Sequence, residues 1–501
     1  MFDADDVLRY AFRQGAGRDL LAGPGTEQPL TTTFGNPPAG VMTDGVASLA
    51  WGTSDLLDDT AYPEPCAVDH LAADERLHHA LIMAFGLLRR EPSNLFNDHR
   101  GCASVRSRFP VHTYVLTPER AWLLDLYRHG LLPLATPIDR PAGDARAVVL
   151  AGRYTHLPSL YGRLRGPLVE MELGISLRCL YIGLQLMGLS GDLDLPGPDA
   201  GALMADLAMD PPSEWTAPLT IAIARPKDRP VTRYQPAPGR AAAGGRWLST
   251  GRGDPIADDP TLQEVVSVNR TALDVAAVLP IEASRGQALG LPTLHHSTSS
   301  WSDVLWHRNA GRMPRQTAGF SGRRSYVAAD AVDDAVAWLD VPPPTPLLAE
   351  VSRHISVYAC IQDVDGYRNG GYQIRRGHLE LDQAEPNLAA RLEACYGQRL
   401  SPTVGCAVRH ASMVWLMSVD LAALVDALGP GGWTLCQYAC GWMAHGLCLS
   451  AAAHRLYARP SRAFDELALS AVTGSAPDRT LLLAVVCGVG RFLEPMLDLR
   501  T

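Results

Sequence analysis

The chain has 501 residues, 47% of them hydrophobic, and its 53 acidic against 44 basic residues give a net charge of −9. This length exceeds what one hydrophobic core usually organises, so we predict two domains, and the acidic balance argues against a nucleic-acid partner. The N-terminus lacks the basic start and apolar core of a signal peptide, so we expect a cytoplasmic protein with no membrane span.

The first half predicts a helix, a turn and two strands before a long apolar segment. The helix is predicted over 77–88 and the turn over 103–110, which reads ASVRSRFP. The strands are predicted over 112–116 and 147–152, and the apolar segment over 160–180 begins LYGRLRGPLVEMELG. The alternation of apolar residues at period two and then at helical period predicts this order.

A stretch rich in proline, glycine and arginine separates the halves. Residues 224–260 carry no apolar periodicity, which is typical of a linker. We therefore predict an N-terminal domain over 1–223 and a C-terminal domain over 261–501.

The second half opens with arginine clusters and then repeats helix and strand signals. The clusters are HRNAGRM (307–313) and FSGRRSY (320–326), and a helix is predicted over 331–339. The proline run at 341–346 cannot continue a helix. A strand is predicted over 354–367, which reads HISVYACIQDVDGY.

The remaining segments predict a strand and helix over 410–428, a buried helix over 435–453 and a final strand over 481–491. The buried helix is interrupted by polar residues and glycines, which argues against a membrane span. Its cysteines fall at helical spacing, and the ten cysteines of the chain lack the CxxC pairs of zinc sites. We predict reduced thiols in the core and no metal. Because both halves mix helices and strands in a similar order, the fold class is α+β with an internal repeat.

At these motifs the chain resembles the nitroreductase-like flavoproteins, and within them the SagB-type azoline dehydrogenases that finish thiazoles and oxazoles in ribosomally made peptides. The turn at 103–110 resembles the family's Pro-Ser-(Ala/Gly)-Gly-x-Arg-x-Pro turn through Ser104, Arg108 and Pro110, with Arg106 at a glycine position. The following segment is similar to the Lys-Tyr pair and its helix, with Tyr161 at the tyrosine position and Leu160 in place of the lysine.

In the second half the resemblance continues through an Arg-x-Ser-x-Arg motif. One register uses Arg308 and Arg312, with Ala310 at the serine position, and a second uses Ser321 with Arg323 and Arg324. The sequence leaves both registers open. The final GVGRF is similar to the family's last strand, where an arginine, here Arg491, lies near a phosphate.

The resemblance implies tandem nitroreductase-like domains that form an intramolecular pseudo-dimer with one FMN. In the family the Pro-Ser turn and the arginine motif from opposite partners surround one cofactor, and each half of this chain carries one of the two. A serine hydroxyl can donate to flavin ring oxygens, and a guanidinium can hold phosphate. The implied cofactor-binding residues are Ser104, Arg106, Arg108, Arg308, Arg312, Arg323, Arg324 and Arg491.

The implied reaction is oxidation of thiazoline or oxazoline rings in a precursor peptide, beside cyclodehydratase partner proteins. Tyr161 is the candidate catalytic base, and a phenol needs a nearby cation to act as one at neutral pH. With Leu160 in the lysine's place, Arg163 or Arg165 is expected to supply that charge. The alternatives for proton transfer are three histidines, namely His112, His156 and His445.

Two other functions stay open at this point. A general nitro- or quinone reductase would share the flavin site, and a non-catalytic scaffold subunit of a cyclodehydratase complex would have lost it. The missing lysine and serines of the motifs would suit the scaffold.

Overall fold

The computed structural model describes most of both predicted halves. The described residues are 3–14, 40–42, 44–92, 98–135, 146–157, 159–197, 200–210, 212–224, 260–273, 291–292, 299–312, 322–375, 377–396, 408–476, 478–491 and 495–501. The predicted linker over 224–260 lies outside the described residues except at its two ends, and the predicted domain boundaries therefore stay predictions.

Helices of very different length occur along the described chain. They are α1 (Ala4–Gln14), α2 (Thr53–Asp58), α3 (Ala73–Phe85), α4 (Arg165–Leu186), α5 (Ala200–Asp206), α6 (Pro260–Arg270), α7 (Trp301–His307), α8 (Asp330–Asp340), α9 (Pro346–His354), α10 (Leu388–Ala394), α11 (Leu421–Leu428), α12 (Gly432–Ala453) and α13 (Glu466–Thr473). The two longest, α4 and α12, have 22 residues each and are buried along almost their whole length.

The strands lie between and after these helices, singly or in consecutive runs. They are β1 (Ala47–Ser48), β2 (Leu87–Arg90), β3 (Asp98–Arg100), β4 (Val111–Leu116), β5 (Ala121–Asp125), β6 (Gly130–Pro133), β7 (Arg146–Gly152), β8 (Ser190–Asp194), β9 (Leu219–Ala224), β10 (Gly322–Arg323), β11 (Ile355–Ile361), β12 (Gly370–Arg375), β13 (His378–Gln383), β14 (Met413–Asp420), β15 (Tyr457–Ser461), β16 (Arg479–Gly490) and β17 (Leu497–Asp498).

Most predicted elements are present, with three differences. The helix predicted over 77–88 is α3, which ends at Phe85 before β2 begins. The proline run contains the start of α9, because Pro346 occupies the first helical turn and the Thr345 side chain accepts a hydrogen bond from Leu348 N at 3.1 Å. The strand predicted over 354–367 is β11, which ends at Ile361.

The two sheets repeat one topology, which confirms the α+β fold and the internal repeat. The first sheet has the order β1-β6-β5-β4-β7-β9-β8. The second has the order β10-β16-β14-β11-β12-β13, and β15 also pairs with β16. The path β6-β5-β4-β7-β9-β8 therefore corresponds to β13-β12-β11-β14-β16-β15, and all these neighbours are antiparallel.

The core is shared between the halves. Side chains of α4, α12 and one face of each sheet form a single hydrophobic cluster, while the opposite faces of the two sheets carry smaller separate clusters. Along β7 the alternation is visible, since Val148 and Leu150 belong to the shared cluster and Val149 belongs to the outer one. Both halves consequently bury their inner faces against each other.

The central helices cross where two glycines remove the side chains between their backbones. A Cβ built on Gly174 would lie 2.0 Å from the carbonyl oxygen of Tyr438, and one built on Gly441 would lie 2.0 Å from that of Met171. Gly441 follows Gly174 by the same number of residues as Tyr438 follows Met171, so a pseudo-twofold axis relates the two contacts. Only glycine permits such an approach.

Three further sets of contacts join the halves. Arg89 in β2 donates to the carbonyl oxygens of Trp306 at 2.7 Å and Arg308 at 3.0 Å. At the other end of the chain, β17 pairs with β2, which places a strand from residues 497–498 in a small sheet with two strands of the first half. Ser54 N also donates to Thr501 O at 2.9 Å.

Within the described part of the chain, no helix has the length and apolar character needed to cross a bilayer. The described cysteines are nine of the ten, and all nine are buried and free of disulfides. Among the described residues, no three or more histidine, cysteine or acidic side chains are grouped so that they could hold a metal ion.

We predict that Gly174→Ala and Gly441→Ala each destabilise the protein, because the added methyl group must push two helix backbones apart. Overpacking of a core typically costs about 1–3 kcal/mol, and a backbone obstacle should reach the upper part of that range. The free energy of unfolding in urea measures the effect. Gly201→Ala is the control, since the added Cβ in α5 would meet no atom within 4 Å and should stabilise the helix slightly. Equal small effects at all three positions would contradict the close crossing.

Candidate functional site

The Ser104 turn, defined here as residues 104–109, is fixed to the central helix α4 by a buried carboxyl group. Glu172 Oε1 accepts a hydrogen bond from Val105 N at 2.7 Å, and Ser104 Oγ accepts one from Phe109 N at 2.8 Å. The Ser104 hydroxyl is also hydrogen bonded to the Glu172 carboxyl. The hydroxyl expected to donate to a ligand is therefore engaged within the protein, and its observed role is to hold the turn.

The backbone of the turn takes conformations that side chains disfavour. The φ angles are 51° at Arg106, 50° at Ser107 and 46° at Phe109, all in the left-handed region. Non-glycine residues in this region carry strain, which is common at functional sites. The arginine at the family's glycine position thus adopts a backbone conformation that glycine adopts readily.

Two arginines of the turn lie beside Tyr161. The Arg106 guanidinium is 5.4 Å from the centroid of the Tyr161 ring, which is a cation–π distance. Burial and the charge of Arg106 lower the pKa of half-buried Arg108, and the charge of a Tyr161 phenolate would raise it. The Arg108 Nε is buried and has no hydrogen-bond partner within the described part of the chain. No carboxylate is among the described groups that shift this pKa, so the positive charge is poorly compensated.

The expected source of positive charge at Tyr161 is wrong. Arg163 donates to Glu264 Oε2 at 2.5 Å, and Arg165 donates to Thr261 Oγ1 at 2.9 Å, so both are committed to α6. The sequence-adjacent arginines point to that helix because the 3₁₀ turn Ser159–Leu164 redirects the chain at Gly162. Arg106, distant in sequence, takes the place beside the ring.

Arg308 extends from the second half to the segment that precedes the Ser104 turn. It follows α7, is 5% exposed and donates through Nε to Arg100 O at 3.2 Å. Its charge also lowers the pKa of Cys102. An arginine of the second half of the chain therefore lies near the Ser104 turn of the first half.

The other predicted arginines of the second half lie along β10, β15 and β16. Arg324 forms an ion pair with Asp363, and the charges of Arg491 and Arg324 both contribute to a lowered pKa of His410. Arg323 is exposed in β10 opposite Val489 of β16. Arg312 is exposed and follows Gly311, which packs against the Tyr457 ring. Ser321, of the second register, lies outside the described residues.

Burial lowers the pKa of all three histidines that are alternatives for proton transfer. Burial lowers the pKa of His156 to about 3, and it lowers the pKa of His112 as well, with nearby arginines adding to both shifts. His445 lies with Nε2 3.1 Å from Cys179 Sγ, and burial lowers its pKa too. These groups are poorly suited to take up a proton at neutral pH.

The structure adds one buried polar cluster that the sequence did not indicate. Glu170 of α4 accepts hydrogen bonds from Asn269 at 3.2 Å and Tyr154 at 3.4 Å, and burial raises its pKa to about 8. Asn269 is also bonded to Tyr438. The sequence signal for this cluster is an acidic residue, Glu170, within an otherwise apolar helical segment. Glu172 stands in the same segment and carries the same signal.

Comparison with known proteins establishes the fold. No protein-family model and no curated protein matches the chain. A solved structure of a candidate nitroreductase from Anabaena variabilis covers 97% of this chain and 99% of its own, with a TM-score of 0.62 and 15% sequence identity. The E. coli microcin synthetase McbBCD complex with truncated pro-MccB17 covers 44% and 87%, with a TM-score of 0.30 and 13% identity. The first match shows that this chain has the nitroreductase fold.

We predict that Glu172→Gln flattens the pH dependence of stability between about pH 5 and pH 8. Burial raises the pKa of Glu172 to about 8, against about 4.5 in the unfolded chain. In this window the folded state keeps a proton that the unfolded state has released, so the free energy of unfolding falls as pH rises towards 8. A tenfold difference in proton affinity between the folded and unfolded states corresponds to about 1.4 kcal/mol, so the change should amount to a few kcal/mol.

Urea unfolding at several pH values measures this effect. Glu170→Gln should act in the same direction, and Glu64→Gln, at an exposed position, should leave the profile unchanged. A Glu172→Gln profile as steep as that of the wild type would contradict the raised pKa.

Proposed function

We propose that the chain binds one FMN at the Ser104 turn and catalyses a two-electron oxidation there. The observation that carries the proposal is the pair of guanidinium groups, Arg106 and Arg108, beside Tyr161 in a turn with left-handed backbone conformations. This arrangement offers an anion-binding position next to a group that can exchange a proton. The nitroreductase fold is a scaffold suited to such a flavin site.

The residues present fit the negatively charged parts of a flavin nucleotide. A phosphate, or the electron-rich N1–C2=O edge of the ring system, would supply the acceptor that Arg108 Nε lacks among the described residues. It would also offset the repulsion between Arg106 and Arg108. From the second half we assign Arg308 and Arg312 to this site, with Arg491 near the phosphate. The ion pair of Arg324 with Asp363 favours this register over that of Arg323 and Arg324.

The second half supports a single site per chain. The segment before β11 is equivalent by topology to the Ser104 turn before β4, and it forms α9 instead of a turn. Leu347, Leu348 and Val351 of α9 are buried in the shared core. A reciprocal flavin position would therefore lack the turn and its arginines.

The chemistry that we propose is dehydrogenation of an azoline ring to an azole, which removes two electrons and two protons. Bound FMN supplies the two-electron acceptor. Tyr161 in its phenolate form is the group that would accept the more acidic ring proton and become a phenol. The Arg106 guanidinium, 5.4 Å from the centroid of the Tyr161 ring, would stabilise that phenolate before the transfer. Arg106 and Arg108 would also hold the FMN in the position at which the azoline ring must contact it.

The finer assignment is a dehydrogenase for thiazoline or oxazoline rings in a ribosomally made precursor peptide, acting with cyclodehydratase partners. It is supported by the motif resemblance at the turn, at Tyr161 and at the arginine segment, since fold alone does not assign a substrate. A general nitro- or quinone reductase would use the same pocket with reduced nicotinamide.

A second candidate function is that of a scaffold subunit without flavin. Two observations favour it, namely that the Ser104 hydroxyl is engaged within the turn and that the Arg106 side chain occupies the family's glycine position. Such a chain would bind the precursor peptide or the cyclodehydratase without turnover.

We predict that the purified full chain, reconstituted with excess FMN and desalted, retains one FMN per chain. Arg108→Ala should weaken FMN binding at least tenfold in a fluorescence titration, because it removes a charge-assisted contact. Arg353→Ala, at an exposed position in α9, should bind FMN like the wild type. Two FMN per chain would overturn the single site, and no FMN would favour the scaffold.

We predict that Tyr161→Phe slows azoline oxidation about 100-fold or more while FMN binding is kept, because the change removes only the hydroxyl. The measurement is the rate at which an azoline-containing peptide loses two hydrogens in mass. Rapid bleaching of the flavin by reduced nicotinamide, with no change in the peptide, would favour the general reductase. Unchanged azoline oxidation in the variant would exclude Tyr161 as the base.

A further inference from the structure

A cluster of thiols and one histidine lies where the segment before the Ser104 turn meets both central helices. Its members are Cys102 of that segment, Cys179 of α4, and His445 and Cys448 of α12. The proposed flavin chemistry uses none of them. We call this group the cysteine cluster.

The geometry pairs two of the thiols. The side chains of Cys102 and Cys179 are hydrogen bonded to each other, and Cys179 Sγ lies 3.1 Å from His445 Nε2. Cys102 is 5% exposed and Cys179 is 2% exposed. The order Cys102, Cys179, His445 is therefore a buried contact series that joins the two halves.

The charges around the pair are unequal. The hydrogen bond from Cys179, together with the charges of Arg100 and Arg308, lowers the pKa of Cys102 below its usual range. Burial raises the pKa of Cys179 instead. The neighbouring Glu172 carboxyl, whose pKa is raised to about 8, remains protonated at neutral pH and adds little negative charge. Cys102 is thus the nucleophile of the pair and Cys179 its protonated partner.

We propose that Cys102 and Cys179 form a redox-active dithiol that hydrogen peroxide oxidises to a disulfide. The Cys102 thiolate attacks one peroxide oxygen, so that an S–O bond forms, the O–O bond breaks, and hydroxide leaves and is protonated to water. Cys179 sulfur then attacks Cys102 sulfur, the S–O bond breaks, and the departing hydroxide takes up the Cys179 proton and leaves as water. Two thiols lose two electrons and two protons in all, and peroxide becomes two waters.

Burial selects the oxidant. Hydrogen peroxide is uncharged and close to water in size, whereas aromatic disulfide reagents are bulky and charged. The folded protein should therefore react with peroxide at Cys102 while it excludes such reagents. Reaction with peroxide but not with bulky reagents would distinguish a dithiol that is formed in the folded protein from thiols that react only after unfolding.

The disulfide would have a local mechanical consequence. It would tie the segment before the Ser104 turn covalently to α4, the helix that already holds the turn through Glu172. The site requires no flavin, so it stands whether or not the proposed oxidoreductase activity is correct.

The test is peptide mapping of the full chain after titration with hydrogen peroxide and alkylation under non-reducing conditions. We expect a cross-linked peptide pair containing Cys102 and Cys179, two hydrogens lighter than the reduced peptides. Met42, which is 40% exposed, serves as the internal measure of general oxidation. The cross-link should appear before Met42 is converted to its sulfoxide.

Variants locate each step. Cys102→Ser should abolish the cross-link. Cys179→Ser should leave a sulfenic acid on Cys102, which a dimedone-type probe captures when the oxidised protein is unfolded in the presence of the probe. Cys360→Ser, which removes a buried thiol in β11, should leave the cross-link unchanged. The proposal is overturned if Met42 is oxidised while both thiols stay free, if other cysteines cross-link instead, or if the pair reacts only in urea. Because the wild-type map alone gives these outcomes, a variant that fails to fold does not affect the test.

Discussion

The backbone contact between α4 and α12 is the constraint on which the rest of the structure depends. At Gly174 and Gly441 a backbone carbonyl oxygen of the other helix occupies the space that a side chain would need. This close crossing holds both halves around one core. The position of α4 then decides the position of the candidate site, because Glu172 reaches the Ser104 turn from the turn of helix that contains Gly174. A shift of the crossing would move the site as well as the core.

Duplication and divergence explain why the halves share a topology but not a chemistry. Before β4 the first half has a strained turn with two cations, and before β11 the second half has a helix that fills the core. The same asymmetry occurs along the central helices. Arg178 of α4 donates to Trp442 O at 2.8 Å and to Trp338 O at 2.9 Å, whereas α12 has His445 at the equivalent position. A fused pair allows each half to lose what the other supplies.

The sequence was sufficient for the repeat and for most elements, because periodicity and turn chemistry are local signals. It located the Ser104 turn and Tyr161 in segments that the structure brings together. It failed at Arg163 and Arg165, because the partner of a charged side chain is chosen by tertiary contacts, here with α6. It also missed the pairing of Cys102 with Cys179, since burial and contact across 77 residues leave no periodic trace. The helix α9 was not predicted from the sequence, because the proline run that ends one helix also provides the first residue of the next.

The pairing of β17 with β2 bears on how the chain reaches this structure during synthesis. The small sheet of the first half takes one of its strands from residues 497–498, more than four hundred positions downstream. The ribosome must therefore complete nearly the whole second half before the edge of β2 is covered. Until then the first half presents an open strand edge, and a chaperone or a slow translation step would be of most use in that interval.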